Sequence, residues 1–264
     1  MNWHLGLLWH EYRYVLTSRR SKLLLGMFLW GLVMMPLVLQ KPPAEIVHFL
    51  AQWLGEVRAQ DKLFLFAWCD LAMNKLAVIS GLALGGGLLV SERASGLLPL
   101  LLSKPIGAGS LYLVKLLAAQ GVYMSLYLLL SLLAGLIYPL FIQAFELRDF
   151  AVVVSVHMLA GTFAVAFAAW MAVLFRRRLS GMVASLFFLS LMIGTAFLGF
   201  YAPALSWLTV LNPFYHGVAL IAELEALSPQ TVLIRAGLLL GLNVAVLALG
   251  VHRARQLEAR EVLL

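Results

Sequence analysis

From Phe150 to Phe175 the chain carries no charged side chain, and five further stretches are nearly as apolar. About twenty apolar residues are what an α-helix needs to cross a bilayer. The other stretches are Leu23 to Leu39, a second ending at Val90 and beginning between Leu63 and Leu76, about Leu116 to Leu140, Leu179 to Phe200, and about Thr231 to Val251. None alternates polar with apolar residues as the strands of a membrane barrel do. Composition agrees. Hydrophobic residues make up 63% of the 264 and charged residues 12%, with a mean hydropathy of +0.96, against roughly 45–50% apolar and about 25% charged in an ordinary soluble domain. A soluble enzyme is excluded. The pattern predicts an all-α integral membrane protein with six transmembrane helices in a single domain over residues 1–264.

Lysine and arginine set the orientation. With a cytoplasmic amino terminus, thirteen of the nineteen fall inside, including Arg19, Arg20, Lys22, Arg93, Lys104, Lys115 and Arg176 to Arg178. Of the twelve acids, only Glu11, Glu92, Glu258 and Glu261 fall there. Both termini are therefore expected in the cytoplasm, and the net charge of +7 reports topology rather than nucleic-acid binding. The first span is expected to be retained: its charged leader is long, and Leu39-Gln40-Lys41-Pro42 offers no small-residue cleavage site. Cys69 is the single cysteine, which excludes an intramolecular disulfide and a multi-cysteine metal site.

Four connecting segments carry information. Residues 1–22 form an amphipathic helix, with Leu5, Leu8, Trp9, Tyr12, Val15 and Leu16 on one side and His4, His10, Glu11, Arg13, Thr17 and Ser18 on the other, as in helices that lie in the bilayer interface. Trp3, Leu7 and Tyr14 break the polar side, so the helix is either a plain anchor or one that also touches protein. Pro42 to Lys62 has apolar residues at helical spacing and is expected along the outer surface. Tyr201 to Pro229, broken by Pro203, Asn212-Pro213 and Pro229, fits short helices in the outer leaflet. The loop over 91–110 opens with Ser91-Glu92-Arg93, continues through Gly96 and an apolar Leu97 to Leu102, and closes at Pro105 and Gly107-Ala108-Gly109. It reads as a short cytoplasmic helix joining spans two and three, able to pass a push from a soluble partner into the membrane.

Inside the spans, Gly81-x-x-x-Gly85 and Gly237-x-x-x-Gly241 are small-residue patterns that let helices approach closely, within the subunit or between subunits. Asp70, Asn74 and Lys75 are expected as boundary residues of span two, with Asp70 at its outer edge and Lys75 about one turn inside, able to snorkel. Asn243, near the middle of span six, must find a partner or line a wet cavity, and an interhelical hydrogen bond is favoured over a substrate contact. Tyr123, Tyr127, Ser131 and His157 give spans three and four a modest polar face. A haem at His157 would need a second intramembrane histidine, and none is well placed.

Glu92-x-x-x-Gly96, then Leu101-Leu102 and Pro105, then Lys115 opening the next span, resembles the signature of the ABC-2 type transporter permeases. The resemblance extends to six spans, an amphipathic amino-terminal helix and short outer helices near Asn212-Pro213-Phe214, and so covers the whole chain. It is most similar to the small permeases typified by the membrane subunit of the nitrous-oxide-reductase maturation transporter. The departures are Leu97 where threonine is frequent, Pro99 interrupting the motif helix, and Gly107-Ala108-Gly109 where an arginine often follows the closing proline.

The resemblance implies a non-catalytic membrane half of an ATP-driven exporter in a bacterial inner membrane. Two cytoplasmic ATPase subunits, which carry the ATP and magnesium, would dock on Glu92, Arg93, Gly96, Leu102 and Pro105 and on the interfacial helix at Leu8, Trp9, Tyr12 and Arg13. A second permease chain, identical or sister, would complete the path, with membrane lipid around it and room for an outer-side accessory or substrate-delivery protein. No phosphate-binding Gly-x-x-x-x-Gly-Lys-Ser/Thr occurs in this sequence, so it binds no nucleotide cofactor of its own by this motif. Two other classes compete, an intramembrane enzyme and a membrane anchor or assembly factor. The first lacks both Gly-x-Ser-x-Gly and His-Glu-x-x-His.

Overall fold

The computed structural model describes residues 3–261 apart from 41–43, 45–47, 49–58, 103–105, 143–144, 176, 197 and 199–201. Every regular element among the described residues is helical. In chain order these are α1 (Trp3–Thr17), α2 (Arg19–Gln40), α3 (59–85), α4 (Val90–Ala94), α5 (Leu97–Leu102), α6 (Ala108–Ile137), α7 (Leu147–Leu174), α8 (Arg178–Thr195), α9 (Ser206–Thr209), α10 (Tyr215–Ala222) and α11 (Pro229–Glu261). Among the described residues, five segments are long and apolar enough to cross a membrane: Lys62–Gly85, Ala108–Leu140, Leu147–Leu174, Arg178–Thr195 and Pro229–Leu257. The protein is thus an all-α membrane protein. The expected span from Leu23 to Leu39 lies within α2, one continuous helix of 22 residues.

The centre is α7, which packs against α3, α6, α8, α10 and α11. Between lipid-like helices no hydrophobic force favours protein contact over lipid, so close van der Waals fit must. α7 achieves that fit with small residues: Ala160, Gly161, Ala164, Ala166, Ala168, Ala169 and Ala172 are all buried. The Tyr123 hydroxyl on α6 rests against Gly161, and the Tyr112 hydroxyl rests against Gly250 of α11, where any side chain would collide. At one end of the bundle Phe64, Trp68, Tyr138 and Phe150 interlock, with ring centroids 4.9 Å apart for Phe64–Tyr138 and 5.4 Å for Trp68–Tyr138. The Tyr138 hydroxyl, in the 3-10 turn that follows α6, also donates to the Leu32 carbonyl, 2.9 Å away, tying that end of α6 to α2. By contrast α8 and α11 turn most of their apolar surface outward; Leu179, Phe187, Leu233 and Val244 are all more than half exposed.

Two expectations about span two are corrected. The helix ends at Gly85 rather than Val90, because Gly85-Gly86-Gly87 combines three residues of low helix propensity. The span therefore starts further out, at Lys62. Asp70 then lies about two turns inside its outer end rather than at it, and Lys75 about three turns inside rather than one. The helix also widens twice into π-turns, over Ala67–Asn74 and Gly81–Gly85, features that recur at functional sites.

Short helices fill 203–226 between α8 and α11. Asn212 fastens them: its amide nitrogen donates to the Met192 carbonyl at 2.6 Å, and its side-chain oxygen accepts from the Phe214 amide at 3.1 Å. The Pro42 to Lys62 segment falls mostly outside the described residues.

Candidate functional site

The segment after span two is shaped by two left-handed residues. Gly86 closes the π-turn with its amide 3.1 Å from the Gly81 carbonyl. Leu89 then takes φ +61°, a strained conformation for a residue with a Cβ, costing on the order of 1–2 kcal/mol. Its side chain is 2% exposed, and that burial holds the turn. Gly96 takes φ +72°, with its amide 3.2 Å from the Arg93 carbonyl, and ends α4 as a left-handed cap. The expected single helix is therefore two short ones, α4 and α5, hinged at Gly96. Pro99 does not cause the break. It sits in the first turn of α5, where a backbone N–H has no partner to lose.

Glu92 points back into the molecule. Its carboxylate lies 2.9 Å from the Lys115 ammonium near the start of α6, and Glu11 of α1 lies 3.3 Å from the same ammonium. All three side chains are less than a fifth exposed. One cation thus holds the amino-terminal helix, the loop and α6 together. A second tie runs beside it, where the Tyr12 and Ser125 hydroxyls meet at 2.8 Å. Tyr12 stacks on Trp9 at 5.6 Å. Leu8 and Tyr12 are half-buried, Trp9 and Arg13 exposed, and a pocket of about 410 Å³ lies between α1 and α6, walled by Leu8, Trp9, Tyr12 and Gly121. The amphipathic helix is packed on protein.

Along α5, Leu98 is buried while Leu97 and Leu100 are 50% and 65% exposed. Those two leucines and Gly96 form the open side of the segment. Gly96 has open space around it. The Leu102 side chain and Pro105 lie outside the described residues. Near the loop, Arg20 donates to the Ala83 carbonyl at 3.3 Å, and burial together with the Arg178 guanidinium lowers its pKa below the ordinary arginine value.

A second polar assembly lies inside the helices. The Tyr127 hydroxyl is 3.0 Å from His157 Nδ1, His157 Nε2 is 2.7 Å from Asn74 Oδ1, and Asn74 Nδ2 donates to Asp70 Oδ1 at 2.9 Å. An amide oxygen only accepts, so Nε2 carries the proton and Nδ1 accepts from Tyr127. Every donor in the chain points toward Asp70. Tyr127, His157 and Asn74 are 0–1% exposed. Sequence reading placed Asn74 with the boundary residues; the π-turn ending at Asn74 swings it inward instead. The only signal available was that an intramembrane histidine and an intramembrane amide both require partners.

Asn243 bridges helices: its amide nitrogen donates to the Leu159 carbonyl of α7 at 3.0 Å, and its oxygen accepts from Gln120 at 3.4 Å. Gly81 and Gly85 lie directly on α7, where an added Cβ would fall 2.7 Å from the Ala164 carbonyl at Gly81 and against the Val165 carbonyl at Gly85. Gly237 and Gly241 differ. Beyond its own helix, nothing among the described residues lies within 4 Å of where a Cβ at either would stand, because α11 turns this side away from the bundle and buries Leu239, Val246 and Ala254 instead. Packing within the subunit does not use the second glycine pair.

The structure thus joins Glu92 to the interfacial helix through Lys115, leaves Gly96 at an open hinge, and keeps Tyr127 in a buried network and Asn243 in a separate, partly buried one. No protein-family model matches the chain, and no curated protein is significantly similar to it in sequence.

Proposed function

We propose that this chain is the transmembrane subunit of an ATP-driven exporter of the ABC-2 permease type. In this reading it has six spans with both termini cytoplasmic and sits in a bacterial inner membrane. A second permease chain pairs with it, and two cytoplasmic ATPase subunits bind the ATP and magnesium. The observation that supports it is the ion cluster of Glu11, Lys115 and Glu92. A subunit driven from outside the membrane needs a rigid link between the surface that receives the push and the spans that move. Here one partly buried ammonium ties the loop and α1 to α6, and the exposed Leu97 and Leu100 beside Gly96 offer an apolar contact for the driving protein.

The test is co-purification. Expressed with candidate ABC ATPase subunits of its source genome, the tagged chain should retain one of them in detergent, and the pure chain alone should hydrolyse no ATP. Replacing Leu97 and Leu100 together with serine should remove the ATPase while membrane abundance stays normal. Cysteines at Ser18 and Glu258 should label from the cytoplasm and those at Glu146 and Glu225 from outside. A chain that recruits no ATPase, or that hydrolyses ATP by itself, ends the proposal.

A further inference from the structure

Arg20 and Arg178 converge on Gly87. Arg20 Nη1 lies 3.3 Å, and Arg178 Nε 3.5 Å, from the point where a side-chain carbon at Gly87 would stand. Two guanidiniums this close repel each other, and Arg178 Nε is buried with no hydrogen-bond acceptor among the described residues. Glu92 is close enough to act on Arg20, yet the repulsion from Arg178 is the larger electrostatic influence there. The site has surplus positive charge and a spare donor aimed inward, which is the complement of an anion with several acceptor oxygens.

What lies next to it says which anion. Arg20 heads a stripe on α2 that continues through Leu23, Met27, Trp30 and Met34, spaced at alternating intervals of three and four, so all lie on one face. Leu23, Met27, Trp30 and Met34, with Ala72, Lys75 and Leu76 of α3, wall an open groove of about 570 Å³. From Leu23 to Met34 it is about 16 Å long at 1.5 Å per residue. That is close to one leaflet's share of a hydrocarbon core roughly 30 Å thick. Lys22 also lines the groove at its Arg20 end.

We propose that Arg20 and Arg178 hold the phosphate of an anionic glycerophospholipid, with one acyl chain lying in the α2–α3 groove. The guanidiniums bond the phosphate oxygens, and Met27 and Trp30 cover the chain. A net negative headgroup is selected because Arg20, Arg178 and Lys22 gather positive charge at this end of the groove. The bound lipid bridges α2, α8 and the 86–89 turn. This holds whether or not the chain is a transporter.

The experiment uses the full chain, delipidated in detergent, with binding followed by native mass spectrometry and by thermal unfolding. Dioleoyl-phosphatidylglycerol should give a retained adduct and raise the unfolding temperature. Dioleoyl-phosphatidylcholine should do so more weakly, and millimolar sodium phosphate should do neither. Arg178→Gln and Arg20→Gln should each weaken phosphatidylglycerol binding on the order of tenfold, the loss expected for one charge-assisted hydrogen bond. Arg178→Lys should keep most of it, and Arg177→Gln, one residue away and exposed, should keep all of it. Dihexanoyl-phosphatidylglycerol should bind far less than the dioleoyl form. Stabilisation by sodium phosphate equal to that by the lipid would make this a free-anion site. Unchanged binding in Arg20→Gln and Arg178→Gln, or equal binding of the short-chain lipid, would likewise overturn the proposal. Should Arg178→Gln fail to fold, Arg20→Gln and the chain-length comparison still decide.

Discussion

Glu92 and Lys115 face each other at 2.9 Å, and Lys115 is shared with Glu11, so the removal of each partner has a different consequence. Without Glu92 the ammonium still has Glu11. Without Lys115 the Glu11 and Glu92 carboxylates lose the cation they share. Glu92→Gln should cost about 1–2 kcal/mol of stability and Lys115→Gln distinctly more, at about 3 kcal/mol. The Glu92→Gln and Lys115→Gln pair should show a coupling energy above about 0.5 kcal/mol in a double-mutant cycle read by thermal unfolding in detergent. Equal losses with no coupling would mean that the cluster does not join α4 to α6.

Gly96 matters for its backbone rather than for its missing side chain. At φ +72° a β-branched residue is strained and asparagine is tolerated. Because open space surrounds the position, size alone should matter little. Gly96→Asn should leave stability within about 0.5 kcal/mol, while Gly96→Val should cost about 1–2 kcal/mol. In the proposed complex, Gly96→Val should also reduce ATPase recruitment more than Gly96→Asn does. The reverse order would show that the position is read by its volume.

How much of this was written in the sequence differs by element. The long apolar runs announce their helices directly, because hydropathy is additive along the chain and needs no knowledge of neighbours. The end of span two was misplaced because Leu88, Leu89 and Val90 are apolar, and only the competing weight of three adjacent glycines ends the helix earlier. The wider π-turn at Asn74 has no sequence period of its own. The tie between Glu92 and Lys115 was likewise invisible, since two residues far apart in sequence reveal a charge complement but not a meeting. Glu92 was read as a docking group for a partner protein, and the structure adds a contact with Lys115 of α6 that its sequence position does not reveal.

The two glycine pairs now part company. At Gly85 an added methyl meets the Val165 carbonyl and stands 3.0 Å from the Ala169 amide nitrogen, both rigid backbone. Gly85→Ala should therefore cost about 1–3 kcal/mol through forced separation of α3 from α7. Gly241→Ala, with open space around it, should leave the stability of the isolated subunit unchanged or raise it slightly, since alanine is the better helix former by about 1 kcal/mol. Thermal unfolding of both variants in detergent decides the matter. A stable Gly85→Ala protein would show that α3 and α7 are not in the contact described.

The buried chain from Tyr127 to Asp70 yields an ordering that depends on direction. Tyr127 stands at the donor end and touches the chain only through His157 Nδ1, so Tyr127→Phe removes one interhelical bond. Such bonds average about 0.6 kcal/mol inside membranes, because the separated helices find other partners. Asn74 stands in the middle, accepting from His157 and donating to Asp70. Asn74→Leu fills nearly the same volume but leaves a fully buried imidazole N–H and a carboxylate oxygen without their partners. The cost of stranding buried polar groups exceeds the value of the bond lost, so about 2–4 kcal/mol is expected. Thermal unfolding of the two variants should therefore separate them clearly. Asn74→Gln should not rescue, since the longer side chain cannot keep both contacts at 2.7 and 2.9 Å. If Tyr127→Phe proves as costly as Asn74→Leu, the four residues form a packed cluster in which the direction of hydrogen bonding has no energetic consequence.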